Sequence, residues 1–277
     1  MSTIASRIVI PDVFDALPAR CRRGGGRAHE PYWTTATPEI GEAEFRSAAF
    51  GARSIEPKTI VNFGRKRLTF SYLSAKTGTG QQGEGPWEYL LAKYLEGEPT
   101  IVKYQFHGIE TVWTNGGTVL RSYGPDATWV DTNGTITCAE VKASDGYFAE
   151  PDTHVLCNAA EEGLASIDVS FARITGDALQ ADRRRAYNVA TVFADRLTSV
   201  SEKQVDLARD RLAGGDVALG RLGEILGARP STALQTINAL MVGRHLAYDL
   251  SEPATPDMRI SAAPAILRAT DIHSIGA

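Results

Sequence analysis

RSYGPDATWVDTNGTITCAEVKA, residues 121–143, places two β-rich runs on either side of a Thr132-Asn133-Gly134 turn. Pro125-Asp126 stands ahead of the first run, and Glu140-Val141-Lys142 closes the second. One hairpin joins Asp126 to Glu140, so the two carboxylates can meet at the same end of paired strands. Val141 lies between Glu140 and Lys142, and the period of two in a strand sends those side chains to one face. Two carboxylates held together repel unless a cation sits between them.

A hard divalent cation such as Mg²⁺ takes oxygen ligands and keeps several waters. Asp126, Glu140 and the backbone carbonyl of Val141 offer three such ligands, and Mn²⁺ would substitute. Lys142 on the same face would orient or help deprotonate an attacking water and offset charge on a phosphate. That is the chemistry of phosphodiester hydrolysis. The plainer alternative makes Asp126 a turn residue and Glu140/Lys142 an ion pair on a wet face. Against it, Val141 and the alternating Trp129 mark the opposite face as buried.

Upstream, Pro86 sits where a helix prefers its proline, in the first turn. Trp87, Leu90, Leu91, Tyr94 and Leu95 follow at helical spacing and form one apolar face. Glu88 lies at the edge of that face, near enough to reach a site on an adjoining sheet, and Glu84 lies at or before the helix start. Strand candidates are TIVKYQFHGIETVW, TVLRSYG, DATWVDT and TITCAEVKA, with hairpin turns at 115–117 and 132–134. A helix within 152–165, a buried strand DVSFARIT and an amphipathic helix ADRRRAYNVATVFADRL complete a mixed α/β unit.

The remaining chain changes character. DVALGRLGEILGARPSTALQTINALMVGRHLAYDL reads as a helix, a turn at 227–230, and a second helix opened by Ser231 as N-cap. LAYDL, a Pro-containing loop and MRIS follow as a wing would, the pattern of a winged helix-turn-helix. Three segments result: a basic, partly flexible arm over 1–54, an α/β domain over 55–200 and a winged-helix domain over 201–277. The break near residue 200 lies between two apolar patterns, which makes the two units separable in expectation.

Charge is unevenly spread over the 277 residues. Residues 1–80 carry 12 Lys/Arg against 7 Asp/Glu, residues 81–200 carry 9 against 17, and residues 201–277 carry 8 against 9, within a total of −4. The basic arm, and Arg65, Lys66 and Arg67 after it, suit contact with a polyanion, though such a composition is equally that of a solvated tail. The acidic middle is where a divalent cation would be wanted. Arg221, Arg229, Arg244 and Arg259 are candidate phosphate contacts in the last segment, or simply scattered surface arginines.

No apolar run reaches the eighteen or so residues of a membrane span, and no basic-then-apolar leader opens the chain. Cys21, Cys138 and Cys157 are too few and too far apart for a disulfide framework or zinc site, and read as reduced thiols of a cytoplasmic protein.

Pro125-Asp126 with Glu140-Val141-Lys142 resembles the PD-(D/E)xK signature of restriction-endonuclease-like nucleases. More narrowly, EGPWEYLLAKYLEGEPTIVKYQ followed by RSYGPDATWV and CAEVKA is similar to the TnsA family, the endonuclease subunit of heteromeric transposases. The shared features are a glutamate-bearing helix, a strand with Tyr104-Gln105, a strand running from Arg121 to Asp126, the Glu140-Val141-Lys142 strand, and a helix with Arg185 and Asn188. One departure is the helix start, where Glu84-Gly85-Pro86-Trp87-Glu88 lacks the family's serine; Glu88 is favoured over Glu84.

The resemblance implies a restriction-endonuclease-like mixed sheet flanked by helices. It implies Glu88, Asp126, Glu140 and Lys142 as catalytic residues, with metal at Glu88, Asp126, Glu140 and the Val141 carbonyl. It further implies cutting of the non-transferred strand at transposon 5′ ends, a TnsB-like DDE transposase as partner, and a TnsC-like AAA+ regulator contacted through the C-terminal region. A stand-alone restriction or repair nuclease, or an inactive DNA-binding regulator of the same fold, are the alternatives.

Overall fold

The computed structural model describes residues 44–50, 68–115 and 118–270, with side chains described over 68–113 and 123–270. Strand β1 (Glu44–Phe50) lies inside the segment expected as an arm, and it pairs antiparallel with a strand sixty residues later. Such a non-local pairing leaves no short-range signal. Arg65, Lys66 and Arg67 lie outside the described residues, as does the side chain of Arg121.

β2 (Thr69–Leu73) and β3 (Gly80–Glu84) form an antiparallel pair that delivers the chain into α1 (Gly85–Gly97). Pro86 occupies the first turn of α1, where its missing N–H costs no helix bond. Leu91 and Leu95 are buried, as the spacing predicts, while Trp87, Leu90 and Tyr94 are half-buried and Ala92 and Glu96 are buried beside them.

The run over 100–113, expected as one strand, is two. β4 (Ile101–Phe106) and β5 (Ile109–Asn115) are separated at His107, whose φ of 51° is left-handed and cannot continue an extended ladder. β5 forms a sheet with β1 and β6 (Thr118–Tyr123). β4 turns into the central sheet with β7 (Ala127–Asp131), β8 (Ile136–Lys142) and β9 (Val169–Thr175), in the order β4-β7-β8-β9.

Pairing in the central sheet is antiparallel except for β8 and β9, which run parallel. A parallel pair needs a crossover. Here it is α2 (Asp145–Phe148) and α3 (Pro151–Ala165). One face of the sheet packs Tyr104, Phe106, Ala127 and Val141 against Leu91, Ala92 and Leu95 of α1. The other packs Val130, Ile136, Cys138 and Val169 against Leu164 of α3. The result is a mixed α/β arrangement, a mixed sheet flanked by helices.

After β9 come α4 (Gly176–Ala181) and α5 (Arg183–Asp195). Gly176 lies against the Trp87 indole; a Cβ there would stand 2.2 Å from the ring, so only glycine lets α1 and α4 approach this closely. Then follow α6 (Glu202–Ala213), β10 (Val217–Ala218), α7 (Leu219–Ile225), α8 (Ala233–Val242), β11 (Leu246–Ala247) and β12 (Arg259–Ala262), whose strands order β10-β12-β11. α8 begins after Thr232 rather than at Ser231, because residues 230–232 still form a turn.

The expected boundary near residue 200 falls between α5 and α6, yet the apolar core reaches across it. Val189 and Val192 of α5 pack with Leu212, Leu222, Ile237, Leu240 and Ile260. Asn188 Nδ2 donates to the carbonyls of Leu250 and Glu252 at 2.7 Å each. The Arg244 guanidinium donates to the carbonyls of Pro99 and Pro264, and beyond β12 the Leu267 N–H reaches Thr132 O at 2.7 Å. No helix among the described residues is long and apolar enough to cross a membrane.

Candidate functional site

The β7–β8 register pairs Ala127 with Ala139, which sets Asp126 opposite Glu140 at one end of the pair. Asp126 Oδ2 accepts the backbone N–H of Val141 at 2.8 Å, locking the start of β7 to the end of β8. Val141 therefore enters the site through its N–H. Glu140 and Lys142 share the parity of Ile136 and Cys138, the residues under α3; Glu140 is buried and Lys142 half-buried. The Lys142 ammonium donates to Glu140 Oε1, and the Tyr123 hydroxyl donates to Glu140 Oε2 at 2.5 Å.

From the other side, α1 presents Glu88. Its Oε2 accepts the backbone N–H of Glu84 at 3.0 Å and lies 3.0 Å from His107 Nε2. Glu84 ends β3 and precedes the first turn of α1, so it touches this cluster through its backbone. Gly83 is required here: a Cβ would meet the Phe70 ring at 2.3 Å and Glu88 Oε2 at 2.8 Å. Ligand atoms of Glu88, His107 and Asp126 all lie within 4.8 Å of one another.

Asp126 is thus common to two neighbouring groups, Glu88–His107 and Glu140–Lys142. Burial first, then the charges of Glu140 and Glu88, raise its pKa well above the ordinary carboxylate range, against the lowering effect of Lys142 and the Val141 N–H. Burial opposes the charge on Lys142, but Glu140 and Asp126 together more than offset it and leave the ammonium held above its usual pKa. Burial and Glu140 push the Tyr123 hydroxyl well up, so it stays protonated and donates to Glu140.

This is an under-neutralised acidic site: three carboxylates face one ammonium and one imidazole. The donor set fits a divalent cation, because two carboxylates and an imidazole nitrogen converge and the charges of Glu140 and Glu88 on Asp126 outweigh the single ammonium of Lys142. An imidazole in the set suits Mn²⁺ better than Mg²⁺, which prefers oxygen alone.

Of the residues singled out in the sequence, Glu88, Asp126, Glu140 and Lys142 are brought together. Two were missed. His107 was hidden inside a run read as one strand, although Phe106-His107-Gly108 carries a turn signal in its glycine. Tyr123 lies in the strand ahead of Pro125, but nothing in its spacing marks it as a partner of Glu140.

The C-terminal arginines divide. Arg244 spends its guanidinium on three backbone carbonyls, including Ile101 O at 3.4 Å, so it clamps the C-terminal unit to the loop before β4 and is not a free phosphate contact. Arg221 pairs with Glu224 at 2.7 Å and Arg259 with Asp216 at 3.6 Å. Arg229 is exposed in the turn before α8. Arg185 and Asn188 point to α1 and to the 250–252 loop respectively, Arg185 pairing with Glu98 at 2.6 Å. Cys138 and Cys157 are free thiols, and burial raises the pKa of both.

Comparison with known proteins finds no family model and no curated protein that matches this chain.

Proposed function

We propose that the chain is a metal-dependent DNA endonuclease with a restriction-endonuclease-like domain. The observation that carries the reading is Asp126 opposed to Glu140 across the β7–β8 pair, with Lys142 beside them and Glu88 arriving from α1. A divalent cation bound there would supply Lewis acidity toward a phosphate oxygen and acidify water. Asp126, Glu88 and His107 would hold it. Glu140, anchored by Tyr123, fixes the Lys142 ammonium at the site, and Lys142 places positive charge where a phosphorane-like transition state gathers negative charge.

The resemblance of the motifs to the TnsA family narrows the proposal. In that reading the chain works in the cytoplasm as the transposase subunit that cuts the non-transferred strand at transposon 5′ ends. A TnsB-like transposase handles the other strand, and a TnsC-like regulator docks on the C-terminal unit. The order α6, β10, α7, α8, β11, β12 supports the winged-helix part of this reading, in which α8 would take the place of the recognition helix with Arg229 exposed in the turn before it.

The test is strand scission on an end-labelled transposon-end duplex with the partner transposase supplied. Lys142→Ala should slow cutting about a hundred- to a thousandfold while divalent-metal affinity holds. Lys142→Arg should not restore the rate, because a guanidinium is bulkier and does not release a proton. Cutting at the parental rate by Lys142→Ala contradicts the assignment.

A further inference from the structure

A second concavity, of about 640 Å³, opens between β2, α1 and α5. Its wall is aromatic: Phe70 and Tyr89 lie 5.1 Å apart, Tyr72 and Phe193 5.0 Å, and Tyr89 and Phe193 5.8 Å at 89°. Two cations complete the lining. Lys93 Nζ stands 4.5 Å from the centre of the Tyr89 ring, and the Arg196 guanidinium carbon 4.1 Å from that of Phe193. Arg196 is fixed by donating to the carbonyls of Leu73 and Phe193. Among the described residues neither cation has a carboxylate partner.

The cavity volume falls within the range of small-ligand sites. Its chemistry is that of aromatic rings beside two cations that meet no carboxylate among the described residues, Arg196 keeping Nη2 outside its two carbonyl contacts, and the ligand that uses both is a nucleotide. An acidic peptide would use the charges and leave the aromatic wall idle. A duplex keeps its bases inside and cannot offer one to the wall. Phe70 also joins this cavity to the acidic site, since its ring covers Gly83 at the point Glu88 Oε2 approaches.

We propose that this cavity binds one nucleotide of single-stranded nucleic acid, with its base on the aromatic wall and its phosphate between Lys93 and Arg196. The strand would continue past Phe70 toward Asp126. Binding in the cavity does not depend on whether Asp126 and Glu88 hold a cation.

The experiment follows the anisotropy of a fluorescent twelve-nucleotide oligo(dT) titrated with the full chain in EDTA, which separates it from any question of cleavage. Tyr89→Leu keeps apolar volume and removes the ring, and should weaken binding about tenfold, with Tyr89→Phe restoring it. Lys93→Gln, at the cavity rim, should reduce the slope of log affinity against log salt by about 0.7, one phosphate's share on a single strand. Binding unchanged in both Tyr89→Leu and Lys93→Gln overturns the proposal, as does no binding by the parent chain. Equal displacement by an oligo-glutamate peptide would make the cavity an acidic-peptide dock instead, and equal binding of a blunt duplex would make it a general phosphate contact.

Discussion

His107 Nε2 lies 3.0 Å from Glu88 Oε2, and the residue holding it there has a left-handed backbone. The His107 backbone N–H donates to the main-chain carbonyl of Asp126 at 3.0 Å, so one kinked residue ties the β4–β5 corner to the Glu88 carboxylate through its ring and to the Asp126 backbone through its amide. A non-glycine left-handed residue carries a backbone cost of order 1–3 kcal/mol, and here it sits beside the carboxylates of Glu88 and Asp126. If His107 is a ligand, it biases the site toward metals that accept nitrogen. His107→Ala should weaken Mn²⁺ binding more than Mg²⁺ binding, measured by calorimetry on the same preparation. Equal losses for the two ions would assign His107 to orienting Glu88 alone.

The raised pKa of Asp126 fixes the sign of a stability effect. Between the unfolded carboxylate pKa and the higher folded one, the folded chain holds a proton that the unfolded chain has released. Stability therefore falls as pH rises through that window. Asp126→Asn removes the titration and keeps an oxygen to accept the Val141 N–H. Without metal at neutral pH it should melt at a higher temperature than the parent, with the difference shrinking below the unfolded carboxylate pKa. A lower melting temperature at neutral pH contradicts the electrostatic reading.

Lys76 gives a second, opposite dependence. Its ammonium donates to Leu95 O at 2.7 Å and Glu98 O at 2.6 Å, capping the end of α1, while burial lowers its pKa to about 7 despite the neighbouring Glu96 and Glu98. Between that value and roughly 10.4 for an unfolded lysine, the unfolded chain holds the extra proton. This group's contribution to stability therefore rises with pH across the window. The urea midpoint of the parent relative to Lys76→Met should climb from pH 7 to pH 10. A constant difference would mean Lys76 stays charged in the fold.

Continuity of the core across residue 200 bears on truncation. Ending the chain there would expose Val189 and Val192 and leave Asn188 without Leu250 and Glu252. The shortened chain should aggregate or melt without a cooperative transition. In the full chain, Asn188→Ala strips the buried Leu250 carbonyl and the more exposed Glu252 carbonyl of their donor and should cost about 1–3 kcal/mol in chemical denaturation. A soluble, cooperatively melting 1–200 fragment would show that α5 does not need the C-terminal unit.

How much of this was legible in the sequence depended on the range of the interaction. Asp126, Glu140 and Lys142 could be grouped because one hairpin and a period of two relate them. Glu88 followed from helical spacing. His107 was lost because alternation across Phe106-His107-Gly108 reads as one strand, and only the dihedral shows the corner. Glu96 was lost for the opposite reason. A glutamate beside a helix's apolar face reads as solvated, yet this one accepts from Ser74 Oγ, the Ala75 N–H and the Tyr104 hydroxyl, partners brought in by other elements. α6 did carry a local sign, since Ser201 and Gln204 form a capping box. Arg244 gave no hint of its clamp, because all its acceptors are backbone atoms distant in sequence.

The central claim is a divalent cation held at Asp126 with Glu88, and it can be measured without any partner or DNA. Calorimetric titration of Mn²⁺ into the full chain should give saturable binding at one or two ions per chain. Glu88→Gln should weaken it, and Asp126→Asn, which keeps the Val141 contact and removes the shared charge, should abolish the tightest event. Unchanged Mn²⁺ affinity in Asp126→Asn would contradict the account.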